Sequence, residues 1–390
     1  MTNVISITRT LRKPARRLKR LPKLTAPRLR LNGLCPYYTM FPLQFPFRTL
    51  NCAKPGQWVL DPFCGRGTTI LAARLRGLPS VGIDSNPVAA AIAASKLAQV
   101  RATEVASLAE DILDDRQPGP VPNCPRGDFW TLCYAPETLR EICRVRNCLL
   151  HSCATRVEVA LRGTMLGILH GPLNKGEPTY ISNQMPRSYS TKPGPAVRFW
   201  KKNDMEPMRV DVLDAVRRRA EFSFADVPPS SLGKIVTGDS RTFDLKKLSA
   251  RYSWVITSPP YYGMRTYFPD HWLRNWFVGG PANVDYRADE QVSHQSEEQF
   301  ISDLALVWKR TAEVCVPGAK FVCRFGALPS RTKDPQTLFM RTLAEAGCGW
   351  RVTTIRKAET SQKGRRQCDQ FGTGNNKPVE EIDVYAVLET

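Results

Sequence analysis

The sequence predicts an α/β fold around a mostly parallel central sheet, and three stretches carry that reading. In the first, a short apolar run from Trp58 to Leu60 enters a loop with Gly65 and Gly67 and continues into a helical pattern from Thr69 to Arg76. Gly77 stops the pattern, and Ser80–Asp84 reads as a second strand ending in an acid. The second stretch, Lys234 to Asp239, is another short strand with an acid at its end. In the third, the apolar Trp254-Val255-Ile256 runs into Thr257-Ser258-Pro259-Pro260-Tyr261-Tyr262. Strands that alternate with helices in this way build parallel βαβ units.

Residues 1–33 are basic and irregular. Ten Lys or Arg fall between Arg9 and Arg30, and the first acid of the chain is Asp61. Pro14, Pro22 and Pro27 break any long helix there, so the segment reads as a flexible arm for phosphates. A targeting leader is the competing reading. Residues 35–50 are aromatic and punctuated by proline. After Asp84, Asn86 is placed to cap an alanine-rich helix that Pro87 opens and that runs from Val88 to Gln99.

From about 115 to 233 the pattern changes. Prolines cluster at 118–125, a helical region spans Glu137–Leu169, and a basic helix spans Val210–Phe222. Between Thr179 and Asn203 stand Arg187, Lys192, Arg198, Lys201 and Lys202, with no acid among them and with aromatics and hydroxyls interleaved. That mixture suits contact with phosphates and bases; a solvated loop region is the plain alternative. After the Pro-Pro stretch comes Gly263-Met264-Arg265-Thr266-Tyr267. Helical periodicity from Glu297 to Val314 then leads to Pro317-Gly318 and a strand over Lys320–Phe325. A helix over Gln336–Ala346 ends at Gly347. Strands Trp350–Arg356 and Ile382–Leu388 close the chain around a polar loop, Ser361–Lys377.

The 390 residues suffice for one domain with an insertion. A formal net charge of +20 implies a polyanionic partner. No apolar run is long enough to span a bilayer. Twelve cysteines are scattered without a Cys-x-x-Cys pair, which reads as reduced intracellular thiols. Cys143, Cys148 and Cys153 do not have a zinc spacing, and no metal is expected.

Two consecutive prolines can neither continue a helix nor donate to a sheet ladder. They fix a stiff turn at the carboxyl end of a strand, where open α/β sheets bind ligands. The Pro259 carbonyl, the Ser258 hydroxyl and the Tyr261 ring would make a socket for a planar heterocycle with an exocyclic amine. A proline-rich loop with surface tyrosines is the bland alternative. Gly65 and Gly67 let the backbone approach a ligand closely, and the following helix offers free amides. Asp84 lies near the ~20-residue offset at which an acid meets ribose hydroxyls. A nicotinamide-dependent oxidoreductase would use a similar loop, but Ile70 stands where the third glycine of Gly-x-Gly-x-x-Gly belongs.

Phe63-Cys64-Gly65-Arg66-Gly67 followed by Ser258-Pro259-Pro260-Tyr261 resembles the paired motifs of the S-adenosylmethionine-dependent DNA amino-methyltransferases. The resemblance covers roughly residues 35–100 and 234–325. It implies a Rossmann-like class I methyltransferase fold, with a catalytic core over 34–114 and 234–390 and an inserted target-recognition region over 115–233. It implies S-adenosyl-L-methionine as cofactor, held by Asp61, Phe63, Gly65, Gly67, Thr68 and Asp84. Tyr38, Thr39 and Phe41 would cover its methionine end, and Asp239 would lie near its adenine. Ser258, Pro259, Pro260 and Tyr261 would be catalytic, with Tyr261 stacking on a base flipped out of DNA. Arg187, Lys192, Arg198, Lys201, Lys202 and Arg265 would contact the nucleic acid.

Serine before the prolines resembles the cytosine-N4 group more than the adenine-N6 group, so cytosine N4 is the expected acceptor and adenine N6 the alternative. Carbon-5 methylation needs a Pro-Cys pair, which this sequence lacks. An RNA N-methyltransferase and an inactive DNA-binding protein remain rival readings. A restriction endonuclease partner is left open. The expected location is cytoplasmic, at the DNA, with an organellar or nuclear address from the basic arm also open.

Overall fold

The computed structural model describes residues 4–7, 26–36, 41–114, 123–171, 180–183, 192–262, 271–284, 296–326, 334–358 and 381–389. Among the described residues, eight strands form one sheet: β1 (Val4–Ile7), β2 (Trp58–Asp61), β3 (Ser80–Asp84), β4 (Gly233–Thr237), β5 (Tyr252–Thr257), β6 (Cys315–Gly326), β7 (Trp350–Lys357) and β8 (Glu381–Leu388). Their order across the sheet is β1-β4-β3-β2-β5-β6-β8-β7. The run from β4 to β6 is parallel. β1 is antiparallel to β4, and β8 is antiparallel to both its neighbours. The fold is α/β and Rossmann-like.

The order reverses between β2 and β5. The chain builds β3 and β4 to one side of β2, then returns to build β5 and β6 on the other. In such sheets ligands bind beyond the carboxyl ends of the strands at the reversal. Those ends here are Asp61 and Thr257.

Period-2 alternation splits each central strand between two cores. Val59, Trp254 and Ile256 face one, and Leu60 and Val255 face the other. The first face carries α1 (Gln44–Thr49), α2 (Thr68–Leu75), α3 (Pro87–Ser95), α4 (Ala102–Leu113), α5 (Asp128–Cys133), α6 (Pro136–His151), α7 (Arg156–Ile168), α8 (Pro193–Lys202), α9 (Val212–Ser223) and α10 (Trp272–Phe277). The second face is covered by α11 (Glu297–Val314) and α12 (Pro335–Ala346). No described helix is long and apolar enough to cross a membrane.

Asn86 caps α3 as expected, its side chain accepting from the Val88 amide at 2.9 Å. That helix ends at Ser95, short of the expected Gln99. The expected helical region Glu137–Leu169 is two helices. It breaks after His151, and a capping box of Thr155 and Glu158 restarts it as α7.

Residues 1–33 do not form an arm throughout. Val4–Ile7 pairs with β4. Pro27–Gly33 is a short 3-10 helix whose Leu29 and Leu31 are buried, while Arg28 forms an ion pair with Asp226 at 2.9 Å. Burial of two leucines holds this segment against the core despite its charge. The expected insertion, 115–233, packs onto the rest of the chain. Its helices share one continuous core with α3 and α4, and the Ser95 hydroxyl of α3 donates to the Val159 carbonyl of α7 at 2.9 Å.

Candidate active site

The Gly-rich loop, which follows β2, is held from the ends of β3, β4 and β5. From β3, Asp84 accepts from the Gly65 amide at 2.8 Å through Oδ2 and from the Asn86 amide at 2.9 Å through Oδ1. From the turn after β4, the Ser240 hydroxyl donates to the Pro62 carbonyl at 2.5 Å. From β5, the Thr257 hydroxyl donates to Asp61 Oδ1 at 2.7 Å, and that same oxygen accepts from the Phe63 amide at 3.2 Å. Thr69, in the first turn of α2, donates to the Ile256 carbonyl at 3.3 Å. The two motifs, remote in sequence, therefore meet at the β2/β5 reversal.

Gly65 and Gly67 both have left-handed backbone, at φ 49° and 78°. Their surroundings differ. A Cβ on Gly67 would lie 2.8 Å from the Ala93 Cβ, so this glycine lets the loop sit on α3. A Cβ on Gly65 would meet nothing within 4 Å, so its side is open. Thr68 opens α2 and is buried, and the half-buried Phe63 packs edge-on against Trp308 at 6.1 Å.

The acids of the site are strained electrostatically. Burial pushes the Asp61 carboxyl up to about 7, against the hydrogen bonds from Thr257 and the Phe63 amide and with the added repulsion of Asp84. Its Oδ2 is buried with no hydrogen-bond partner. Burial likewise raises Asp84 to about 6, against its two amide hydrogen bonds. Asp239 behaves oppositely. Burial works against its charge, but the hydrogen bonds and charge of Arg241 overcome that and lower it. Arg241 clasps Asp239 at 2.7 Å and Asp303 at 2.8 Å, so Asp239 is committed to an ion pair rather than freely presented.

On the catalytic loop, the Ser258 hydroxyl oxygen is buried with no hydrogen-bond partner. Pro259 is buried and Pro260 half-buried. Tyr261 corrects the sequence reading. Its ring is fully buried, edge-on to Phe325 at 6.5 Å and against Gly326, and its hydroxyl donates to Glu381 Oε1 at 2.8 Å. It is an anchor of the loop and offers no open face for a base. Tyr262 is buried against Phe300 at 5.1 Å.

Phe41 is buried, edge-on to Phe45 at 5.4 Å. Tyr38, Thr39, Arg187 and Arg265 lie outside the described residues. Lys192 leads into α8, whose Ala196 and Trp200 are buried and whose Arg198, Lys201 and Lys202 are exposed. Lys201 pairs with Asp128.

Sequence reasoning missed Thr257, Ser240, Arg241 and Glu381. Thr257 had a signal, since it directly precedes the Ser-Pro-Pro motif. Glu381 had none, because only the β6/β8 pairing brings it to Tyr261.

No curated relative matches the chain. Among solved structures, the rRNA methyltransferase AviRa from Streptomyces viridochromogenes is 12% identical, with 92% of this chain and 91% of that one covered at a TM-score of 0.34. TrmN from Thermus thermophilus is also 12% identical, covering 93% and 53% at a TM-score of 0.33. The magnesium protoporphyrin IX methyltransferase ChlM from Synechocystis PCC 6803, solved with bound SAM, is 9% identical, covering 89% and 76% at a TM-score of 0.32. Overlaps this loose carry no argument about the site. The stretch that contains the Gly-rich loop, Asp84 and α3 is more telling: residues 15–95 match the model of the N6/N4 methylase family, described as DNA methylase.

Proposed function

We propose that this chain is an S-adenosylmethionine-dependent methyltransferase acting on the exocyclic amine of a base flipped out of DNA, with cytosine N4 as acceptor. The observation that carries the reading is the buried Thr257–Asp61 hydrogen bond, which sets the Gly-rich loop beside the Ser-Pro-Pro-Tyr loop at the sheet reversal. The residues fit the cofactor. Each Asp84 oxygen spends one acceptor site on a backbone amide and keeps capacity for a ribose hydroxyl. The open side of Gly65 lets a ligand lie against the backbone. Asp61 Oδ2 is a buried acceptor at the same strand end. When bound, the cofactor supplies an electrophilic methyl group.

The protein's part is positioning. The lone pair of an aromatic amine is delocalised into its ring and attacks poorly. The Ser258 hydroxyl and the Pro259 carbonyl would hold the amine so that its lone pair is aimed, and such orientation lowers a barrier without any covalent step. Tyr261, locked to Glu381 and Gly326, keeps those two groups still. Arg198 and Lys202 on the exposed face of α8 would meet phosphates. Serine rather than an acid before the prolines supports cytosine over adenine.

Incubation with labelled cofactor and separate DNA and RNA pools, followed by mass spectrometry of the bases, tests this. N4-methylcytosine in DNA is the expected product. N6-methyladenine would move the acceptor, label in RNA alone would move the substrate, and no label in either pool would remove the activity.

A further inference from the structure

β6 and β7 are both antiparallel to β8, so they run in the same direction, and their carboxyl ends lie at the same end of the sheet as Thr257 of β5. Asp61, Asp84 and Asp239 stand at β2, β3 and the turn after β4, all to one side of β5. To the other side the sheet continues as β6-β8-β7, and its outermost strand ends in the exposed Arg356 and Lys357. The Ser-Pro-Pro-Tyr loop touches this half directly, through Gly326 of β6 and Glu381 of β8.

In the ladder, Asp383 lies across from Arg324 on one side and from Arg356 on the other. One carboxylate thus stands between two arginines, and the first of them takes it. Arg324 Nε donates to Oδ1 at 2.7 Å and Nη2 to Oδ2 at 2.8 Å, a buried bidentate pair. Glu381, two residues before Asp383, accepts from the Tyr261 hydroxyl. Arg356 is exposed, and its guanidinium lies over the Tyr385 ring, 5.5 Å from the centroid. Among the described residues no carboxylate bonds it. A cation resting on an aromatic ring keeps its charge and its donors while losing freedom, which prepares it for an anion. The planar fork of an arginine suits phosphate oxygens.

We propose that Arg356, braced by Tyr385, contacts a phosphate of the DNA strand that carries the flipped base, so that the β8–β7 edge is a second nucleic-acid contact apart from α8. The inference rests on the reading of the chain as a DNA methyltransferase and adds a surface to it. Asp383, opposite Arg356, is two residues from Glu381, the partner of Tyr261. Two residues of strand span ~7 Å, about the rise of two base pairs, so the contact falls close to the base held at Ser258.

Fluorescence anisotropy with a labelled random-sequence DNA duplex, read across a salt series, tests it without turnover. Arg356→Ala is expected to weaken binding roughly 5- to 10-fold and to reduce the slope of log affinity against log salt by ~0.9. Arg356→Lys keeps the charge and should keep the slope. Lys247→Ala removes one exposed charge shortly before the start of β5, toward the opposite end of the sheet, and should leave both affinity and slope as they were. An unchanged midpoint of thermal unfolding shows that each variant is folded. Unaltered affinity and slope in Arg356→Ala, or an equal fall in Lys247→Ala, would overturn the contact while leaving the methyltransferase reading intact. An unaltered protein that binds an RNA of the same length but not the duplex, or that binds neither, would instead take down the DNA reading, and the proposal with it.

Discussion

Asp61 is buried at a strand end where its charge is poorly tolerated, and this sets a pH dependence. Its carboxyl is raised to about 7 and that of Asp84 to about 6, both by burial first. An unfolded carboxyl titrates near ~4, so between that value and the folded ones the native state holds more protons than the unfolded chain. The stability these groups contribute is therefore fully present below ~4 and is lost as pH rises through about 6 and 7. Asp61→Asn keeps an acceptor for Thr257 and Phe63 but cannot ionise. It should flatten the fall of urea midpoint across that window and raise stability at pH 8 by on the order of 1–2 kcal/mol. An unaltered slope would mean that Asp61 is solvated in solution. Ser258 and Tyr261 separate in the same manner. Ser258→Ala should slow single turnover about 10- to 100-fold with DNA and cofactor affinities unchanged, the mark of an interaction used as the methyl moves. Tyr261→Phe keeps the ring but loses the Glu381 bond, and should cost about 1 kcal/mol in chemical denaturation. A ring that stacked on the base would show no such cost.

Helix α8 presents its charge to solvent because Ala196 and Trp200 are the residues turned inward, Trp200 lying against Phe129 at 5.6 Å. If that face tracks phosphates, replacing Arg198 and Lys202 by Ala should weaken DNA binding similarly for all sequences. It should also reduce the salt slope of log affinity by ~0.9 for each phosphate no longer neutralised. A retained slope would put the DNA elsewhere. At this scale the chain was legible where its signals were local. The β2–loop–α2–β3 unit follows from an apolar run, two glycines and a stop at Gly77, all within one short stretch, and Asn86 with Pro87 announces α3. The Thr155/Glu158 capping box was also local, yet the apolar pattern on either side hid the break. What could not be read were interactions made by pairing of distant strands. The burial of Tyr261 depends on Gly326 of β6 and Glu381 of β8, and the Thr257–Asp61 bond joins residues 196 apart. A buried tyrosine and an exposed one look alike in sequence.

Across the whole molecule, the helices of residues 123–223 complete one core with α3 and α4 rather than closing a core of their own. A fragment of residues 115–233 would expose the faces that α7 and α9 bury against them. It should therefore lack a cooperative thermal transition by circular dichroism, while the full chain melts as one unit. A cooperative melt of the fragment would show that the region folds without α3 and α4. The sheet edge has a different consequence. Val4 pairs with Val236, and Ile7 with Gly233, so the strand nearest the N-terminus lies beside a strand made more than two hundred residues later. During translation, β1 leaves the ribosome long before its partner exists. It must wait, unpaired, while the Gly-rich half and the helical layer are synthesised, and pairings of such long range form slowly. Made before every other described strand, β1 is thus among the last to be seated, and until then the β4 side of the sheet has an open edge that another nascent chain can occupy.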